Sequence, residues 1–246
     1  MILRAVLACG LAWGTAALAE TCPRVPVSSL HGLTATRAAV AAGKPVTIVT
    51  LGSSSTEGSG ASAPDRTYPA RLAAALTTAL PRRQVQVINA GKGGQEADQM
   101  AARLEADVLA HAPTLVIWQA GANGALRGHD VAAFRAVMEA GVARLRAAGV
   151  DVVLMDNQRA PRVDAAPGHD AFDTALAEIA RSGQAALFSR GRLMDRWIHA
   201  GRPLAEFVGG DGLHHTDLGY ACLGAALADA LVPTLTPPVQ MAVRPR

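Results

Sequence analysis

A run of serines and a distant aspartate–histidine pair are the residues of this chain whose types and spacing could do chemistry. The serines occupy positions 53–55, directly after an apolar segment at 46–51, and Asp211 and His214 stand near the other end. A serine hydroxyl is a weak nucleophile at neutral pH unless a neighbouring histidine takes its proton and a carboxylate holds that histidine. The chain order serine, aspartate, histidine therefore indicates an acyl-transferring hydrolase.

Alternating elements of two kinds must position these groups. Apolar, β-branched runs predict strands at 45–51, 84–89, 114–119, 151–156 and 185–188. Helical spacing of apolar residues predicts helices whose buried faces begin at Tyr68, Ala97, Val131, Phe172 and Leu223. Thr216 is the expected N-cap of the last helix. Continuously apolar strands that alternate with helices predict an α/β fold, a three-layer α/β/α sandwich with a central parallel sheet of about five strands.

The polar segments of the chain follow the predicted strands. They lie at 52–60, 90–95, 120–124 and 157–159. Because ligands bind beyond the carboxyl ends of parallel strands, these segments should meet at one rim of the sheet. Gln158 and Arg159 could contact a substrate there, although a solvated loop is the simpler interpretation.

The two ends of the chain differ from the rest in composition. Residues 1–19 combine a basic start, an apolar run and a small-residue cleavage site, which is typical of a secretory signal peptide. We expect an N-terminal arm at 20–44, the main domain at 45–232 and a proline-rich surface tail at 233–246. No later segment looks both apolar and long enough to span a bilayer, so no integral membrane segment is expected after signal removal. A periplasmic or secreted location follows.

The net charge and the cysteines indicate which partners the protein could bind and whether its environment is oxidising. The formal net charge is +3 without a basic run, which does not favour nucleic-acid binding. Cys22 and Cys222 are the cysteines that remain after the signal peptide, and an even pair in an exported protein favours a disulfide. Two unrelated buried thiols are the alternative. His215, beside His214, completes no metal-ligand spacing, so neither a metal nor another cofactor is expected.

Four short segments together resemble the SGNH hydrolases, also called GDSL hydrolases. They are Gly-Ser-Ser-Ser-Thr at 52–56, Asn-Ala-Gly-Lys-Gly-Gly at 89–94, Gly-Ala-Asn-Gly at 121–124 and Asp-Gly-Leu-His at 211–214. Each segment is weak alone, but the four stand in the family's order and each polar loop follows a predicted strand. The resemblance spans residues 47–231 and implies the flavodoxin-like SGNH fold.

The resemblance also implies a role for each matching residue. Ser54 matches the nucleophile, with His214 as its base and Asp211 as the group that orients the histidine. The backbone N–H groups of Ser54 and Gly94 and the side-chain amide of Asn123 match the oxyanion hole, which stabilises the charge on the carbonyl oxygen. Asn123 and the Asp211–Gly212 pair could instead be ordinary turn residues.

Two positions depart from the family pattern. Ser53 stands where the family has an aspartate before the nucleophile, and Gly124 stands where an aspartate follows the asparagine. Neither aspartate acts directly in the family's reaction. The departures therefore leave the expected reaction intact and put the shape of the substrate pocket in question.

The predicted function is a serine esterase that cleaves a small-molecule or glycan-borne acyl ester through an acyl-enzyme. Few aromatic residues and no apparent apolar lid favour short acyl groups, and export favours substrates of the cell envelope. Two alternatives remain: an acyltransferase that passes the acyl group to an envelope polysaccharide, and a non-catalytic envelope protein that binds glycans or lipids. Nucleotide binding is disfavoured because neither glycine-rich segment completes a phosphate-binding motif.

Overall fold

A central sheet organises the part of the chain that the computed structural model describes, residues 21–182 and 184–236. The predicted signal peptide at 1–19 and residues 237–246 of the predicted tail lie outside the described residues. The strands are β1 (Val46–Gly52), β2 (Val85–Gly91), β3 (Leu115–Gln119), β4 (Asp151–Met155) and β5 (Ala186–Phe188). All pair in parallel, in the order β2-β1-β3-β4-β5.

Helices cover both faces of this sheet. They are α1 (Thr34–Ala41), α2 (Ser54–Glu57), α3 (Tyr68–Ala79), α4 (Ala97–Ala102), α5 (Leu104–Asp107), α6 (Ala122–Arg127), α7 (Val131–Ala147), α8 (Pro161–Asp164), α9 (His169–Arg181), α10 (Arg190–His199) and α11 (Asp217–Leu235). Short 3-10 turns lie at Pro64–Arg66, Leu109–His111 and Leu204–Glu206. Thr216 caps α11, as predicted, by accepting a hydrogen bond from the Gly219 N–H.

Two apolar cores separate the three layers. One core joins α1, α3, α10 and α11 to one face of the sheet, and the other joins α4, α7 and α9 to the opposite face. The central strands β1, β3 and β4 are buried on both faces, which explains their continuously apolar sequences. The three-layer α/β/α prediction is confirmed.

The strand order fixes where the site must lie. The chain leaves β1 in one direction to form β2 and returns to form β3 on the other side of β1. In this flavodoxin-like order, the switch point between β1 and β3 opens a crevice at the carboxyl ends of those strands. Ser54 follows β1 and Asn123 follows β3, so both residues flank that crevice.

The last helix corrects two predictions. The tail was expected to begin at 233, but α11 continues through Pro233 to Leu235, and both Thr234 and Leu235 are buried. The Thr234 hydroxyl donates to the carbonyl of Leu30 in the N-terminal arm at 3.3 Å, which explains the longer helix. An 18-residue window of α11 has a mean hydropathy of 1.5, so by length and composition alone α11 could cross a bilayer, contrary to the sequence prediction. Because 72% of that window is buried, α11 packs as a core helix.

Cys22 and Cys222 form a disulfide, as the cysteine count favoured. The bond joins the N-terminal arm to the second turn of α11 across a sequence separation of 200 residues. The arm is therefore attached to α11 near both ends of the helix, covalently at Cys222 and by the hydrogen bond to Thr234.

Candidate active site

The side chains of Ser54, His214 and Asp211 form a continuous hydrogen-bonded chain. His214 Nε2 lies 2.8 Å from Ser54 Oγ, and His214 Nδ1 lies 2.5 Å from Asp211 Oδ2. A carboxylate can only accept, so Nδ1 carries the hydrogen and Nε2 is left to accept the serine proton. The fold therefore brings together residues that are 160 positions apart in the sequence.

Asp211 is held in its ionised form by its own loop. Partial burial raises its pKa, but the backbone N–H groups of His214 and Leu213 and the imidazole of His214 lower it more, to about 2. Its Oδ1 accepts from the Leu213 N–H at 2.9 Å and from the His214 N–H at 3.0 Å. The same carboxylate thus fixes both the loop and the ring.

Ser54 begins the short helix α2 on a tight turn that is fastened to β3. The buried Gln119 side chain accepts hydrogen bonds from the Ser53 N–H at 3.1 Å, the Ser53 hydroxyl at 3.2 Å and the Thr56 hydroxyl at 3.2 Å. Ser53, where the family pattern has an aspartate, is therefore an uncharged anchor of the turn. Gln119 carried no sequence signal beyond its position at the end of a strand.

The loop after α2 also approaches the histidine closely. Gly60 has a φ of +89°, and a Cβ at this position would lie 3.1 Å from His214 Cβ and 2.7 Å from the His215 carbonyl oxygen. A larger residue at 60 would therefore push the histidine segment away from Ser54.

The two remaining predicted donors lie on neighbouring loops. Asn123 belongs to the first turn of α6, and its Nδ2 donates one hydrogen to the Gln95 carbonyl at 2.8 Å, which leaves its second hydrogen for another acceptor. Gly94 has a φ of +73°, a conformation that favours glycine. Among the described residues, the N–H groups of Ser54 and Gly94 have no hydrogen-bond acceptor.

Arg103 joins these loops and was missed by the sequence analysis. Its side chain is 9% exposed. Its Nη2 donates to the carbonyl of Gly52 at 3.1 Å, its Nε to Gln95 Oε1 at 2.7 Å, and its Nη1 to Asp107 at 3.0 Å. One guanidinium therefore ties the strand that leads to Ser54 to the loop that follows Gly94.

A buried polar chain, the hydrogen bonds that run from Arg190 through Gln158 to the Leu213 carbonyl, supports the loop that carries His214. Arg190, which is fully buried, donates from Nη2 to Gln158 Oε1 at 2.6 Å, and Gln158 Nε2 donates to the Leu213 carbonyl at 3.0 Å. Arg190 Nε also donates to the Asp156 carbonyl at 3.1 Å. Both interpretations of Gln158 were wrong, since it is neither a solvated loop residue nor exposed to a substrate. Arg159 is paired with Asp195 at 3.0 Å.

His215 is buried behind this chain. Its Nδ1 donates to the Phe207 carbonyl at 3.0 Å, and its ring meets the Tyr220 ring edge-on at a centroid distance of 5.2 Å. Burial, reinforced by the positive charge of Arg190, lowers the pKa of His215 to about 3, so the ring is neutral at ordinary pH. His215 is therefore a buried, neutral side chain that packs in the interior next to the His214 loop.

Two depressions flank the hydrogen-bonded chain. A cavity of 340 Å³ lies on the side of Asn123, with Ser53, Gln95 and Phe172 among its walls. A shallower groove of 520 Å³ lies on the side of His214, with Ser62, Thr216 and Asp217 among its walls. Together they give a bound molecule room on both sides of the Ser54 hydroxyl.

Within the part of the chain that the structure describes, one group of residues outside this site has metal-ligand types. The ligand atoms of His169, Asp170 and Asp173 all lie within 4.8 Å of one another at the start of α9. The Arg159 guanidinium lies 3.7 Å from Asp173 and already supplies a positive charge there.

Comparison with known proteins shows the family that this chain resembles. A model of the Non-GDSL lipase-like family matches residues 21–236. No curated protein sequence matches the chain.

Solved structures share the fold over most of the chain. A lipase/acylhydrolase from Enterococcus faecalis is 26% identical, with a TM-score of 0.65, and the match covers 78% of this chain and 98% of that one. Axe2, an acetylxylan esterase from Geobacillus stearothermophilus, is 18% identical with a TM-score of 0.62, covering 77% and 94%. A two-domain esterase active on acetylated mannans is 24% identical with a TM-score of 0.69, covering 86% of this chain. This chain spans 56% of that two-domain protein.

Proposed function

The chain belongs to the Non-GDSL lipase-like family and is an enzyme of the SGNH/GDSL esterase type, and we propose that it hydrolyses an acyl ester through Ser54, His214 and Asp211. The observation that carries this assignment is the unbroken hydrogen-bonded chain from Ser54 Oγ through the imidazole to Asp211 Oδ2, with distances of 2.8 and 2.5 Å. The geometry meets the requirement for an activated serine, a base within reach of it and a carboxylate that orients the base.

The reaction proceeds through an acyl-enzyme. Ser54 Oγ attacks the ester carbonyl carbon while His214 Nε2 takes the hydroxyl proton. When the tetrahedral intermediate collapses, the bond to the alcohol oxygen breaks and His214 returns the proton to that oxygen. Water then attacks the acyl-enzyme with His214 again acting as the base, and the carboxylic acid leaves while Ser54 regains its proton.

Asp211 contributes by orientation and charge. With a pKa of about 2 it is ionised across the working range of an imidazole base, and it stabilises the imidazolium that forms in each half of the reaction. Because the Leu213 and His214 N–H groups hold the other carboxylate oxygen, the carboxylate remains in line with Nδ1.

The negative charge on the carbonyl oxygen needs donors that are already in place. The free N–H groups of Ser54 and Gly94 and the second amide hydrogen of Asn123 are assigned this role. The hydrogen bond from Asn123 to the Gln95 carbonyl supports the assignment, because it fixes the amide before any substrate arrives.

The substrate class and the location belong to the same proposal. Two of the neighbouring structures are esterases named for acetylated mannan and acetylated xylan, which supports an ester carried on a glycan. The disulfide between Cys22 and Cys222 supports an oxidising compartment, and the proposed signal peptide supports export to the periplasm or beyond.

Labelling and turnover of matched serine variants test the proposal. We expect a fluorophosphonate to label Ser54, and Ser54→Ala to lose both the label and ester hydrolysis. Ser55→Ala is the matched control, since Ser55 is buried in the same turn and its hydroxyl has no side-chain hydrogen bond to a described residue. Ester hydrolysis that survives Ser54→Ala would refute the mechanism.

Product analysis separates hydrolysis from acyl transfer. We expect free carboxylic acid as the main product with or without an added polysaccharide. Acyl transfer to the polysaccharide in preference to water would instead identify an acyltransferase that uses the same residues. Specific binding of an envelope glycan or lipid without cleavage of any ester would identify a non-catalytic binding protein.

A further inference from the structure

The 340 Å³ cavity beside Asn123 has an apolar floor and a polar rim. Met100, Phe134 and Phe172 form the floor and are nearly inaccessible to solvent, and Val137 completes one wall. Asp98, His129 and Asp130 are at the exposed rim. A floor of this kind suits an apolar group that enters from a polar surface.

The cavity adjoins all three proposed oxyanion donors. Its walls include Asn123 itself, Ser53, which directly precedes Ser54, and Gln95, which directly follows Gly94. A carbonyl oxygen held by these donors therefore places the carbonyl carbon at the edge of the cavity.

The position of His214 decides which half of the ester lies on which side. His214 must protonate the leaving alcohol, so the alcohol belongs in the groove that His214 lines. That groove is walled by Ser62, Thr216, Asp217 and exposed glycine backbone, which suits a hydroxyl-rich alcohol. The acyl half then lies on the opposite side, where the cavity is.

The two departures from the family pattern both fall on the walls of this cavity. Ser53 is an uncharged residue tied to Gln119, and Gly124 is covered by Phe172. A Cβ at position 124 would lie 2.8 Å from Phe172 Cε1, so an aspartate there would displace the ring. Phe172 packs edge-on against Phe134 with centroids 4.9 Å apart. Positions 53 and 124 thus leave the wall beside Phe172 without the two carboxylates of the family pattern, while the carboxylates that do line the cavity belong to Glu96, Asp98 and Asp130.

We propose that this cavity is the acyl-chain site and that it takes an acyl group of medium length, longer than acetyl. The proposal rests on the hydrolase function proposed above and specifies its substrate. A volume of 340 Å³ holds roughly eleven waters at liquid density, which is ample for a hexanoyl or octanoyl chain. The sequence analysis expected short acyl groups because it found no apolar bed, and the cavity supplies one.

A chain-length series on p-nitrophenyl esters tests the assignment. Each fully buried methylene raises kcat/KM by about fourfold, so hexanoate and octanoate should exceed acetate by at least about tenfold even with partial burial. Ala133→Trp and Val137→Phe fill the cavity from α7. Both variants should lower the octanoate-to-acetate ratio of kcat/KM at least tenfold.

Ala136→Trp is the matched control, because Ala136 is exposed on the same helix and does not line the cavity. It should leave the whole chain-length profile unchanged. Loss of acetate activity in Ala133→Trp together with a lowered Tm would indicate misfolding, and the octanoate-to-acetate ratio of Val137→Phe then decides the question.

The outcomes also separate this proposal from the hydrolase function. Suppose that activity depends on Ser54, but that wild type prefers acetate or that Ala133→Trp and Val137→Phe leave the chain-length dependence of kcat/KM unchanged. The cavity is then not the acyl site, and the hydrolase function stands. If no ester is cleaved, both proposals fail. Labelling supplies a second measurement: an octyl fluorophosphonate should label wild type faster than an ethyl one, and Ala133→Trp should abolish the difference.

Discussion

Replacing Gln158 with methionine tests whether the buried polar chain positions His214 or only stabilises the fold. Gln158 accepts from Arg190 at 2.6 Å and donates to the Leu213 carbonyl at 3.0 Å, and it contacts neither Ser54 nor His214 through a hydrogen bond. Methionine has a similar length and can make neither bond. We expect Gln158→Met to lower kcat by about tenfold with little change in KM.

The size of the effect follows from the bonds that are lost and those that remain. A hydrogen bond to a charged group contributes about 1.5–3 kcal/mol and a neutral one about 1 kcal/mol, so the free energy of unfolding should fall by about 3 kcal/mol. That corresponds to a Tm lower by about 6–12 °C. The loop keeps the bonds from Arg162 N–H to the Gly212 carbonyl and from Gly209 N–H to the His214 carbonyl. The histidine therefore shifts by less than the 1 Å that would cost about a hundredfold.

Asp151→Asn is the control for lost stability. Asp151 is fully buried at the start of β4, at the opposite end of the sheet from the site, and accepts from the Thr36 N–H at 2.7 Å and from Arg146. The Asp151→Asn variant should have a lower Tm than wild type and an unchanged kcat. The kcat values are compared at a temperature at which both Asp151→Asn and Gln158→Met are folded. If Gln158→Met loses stability but keeps its kcat within twofold, the positioning argument is wrong and the chain is only structural.

The remaining predictions concern the oxyanion donor, the buried imidazole and the disulfide. Asn123→Ala should lower kcat by about 10²–10³ with KM nearly unchanged, and a loss under tenfold in steady-state kinetics would exclude it from the oxyanion hole. His215 has a folded pKa of about 3 against 6.5 in the unfolded chain, so its contribution to stability is present above pH 6.5 and is lost as pH falls towards 3. Between pH 7 and pH 5, urea unfolding of wild type should therefore lose on the order of 2 kcal/mol more than His215→Asn, and equal losses would contradict the neutral buried ring. Replacing both Cys22 and Cys222 by serine opens a loop with a sequence separation of 200. The free energy of unfolding should fall by at most about 5 kcal/mol, while kcat at 25 °C stays unchanged. An unchanged Tm would show that the bond does not form.

The sheet was predictable because its physical signal is local. Each strand is a short apolar run bounded by polar or glycine-rich segments, and the observed bounds differ from the predicted ones by at most two residues, as at β2 (Val85–Gly91). A run buried on both faces needs no knowledge of its neighbours to be recognised. The same holds for α7 and α9, whose apolar residues recur at helical spacing.

Elements that depend on distant partners were predicted less well. The sequence predicted one helix whose buried face begins at Ala97, but the chain breaks at Arg103 into the two short helices α4 and α5. The break lets the Arg103 guanidinium reach the Gly52 carbonyl and Gln95 at the same time. Nothing in the local sequence encodes that requirement. Likewise, α11 extends past its predicted end because the N-terminal arm covers its last turn.

The candidate site shows the same division between local and distant signals. Ser54, Asp211 and His214 were predictable because each stands in a short motif whose residue types are tied to one reaction. Gln119, Gln158 and Arg190 were not, because a polar residue at or just beyond the end of a strand is usually exposed to solvent, and only the fold shows that these side chains are enclosed.

Burying an arginine is unfavourable unless other groups accept hydrogen bonds from its N–H donors. Arg190 donates from Nη2 to the Gln158 side chain and from Nε to the Asp156 carbonyl, but its Nη1 has no partner among the described residues. A fold under selection for stability alone would do better with an apolar residue at 190. Retention of the charge is explained if Arg190 fixes the orientation of the Gln158 amide, since only then does Gln158 present its N–H to Leu213. Arg190→Met should therefore reproduce the loss of kcat in Gln158→Met, and the double variant should lose no more than either single one. Additive losses in kcat would mean that the two side chains act on the site separately.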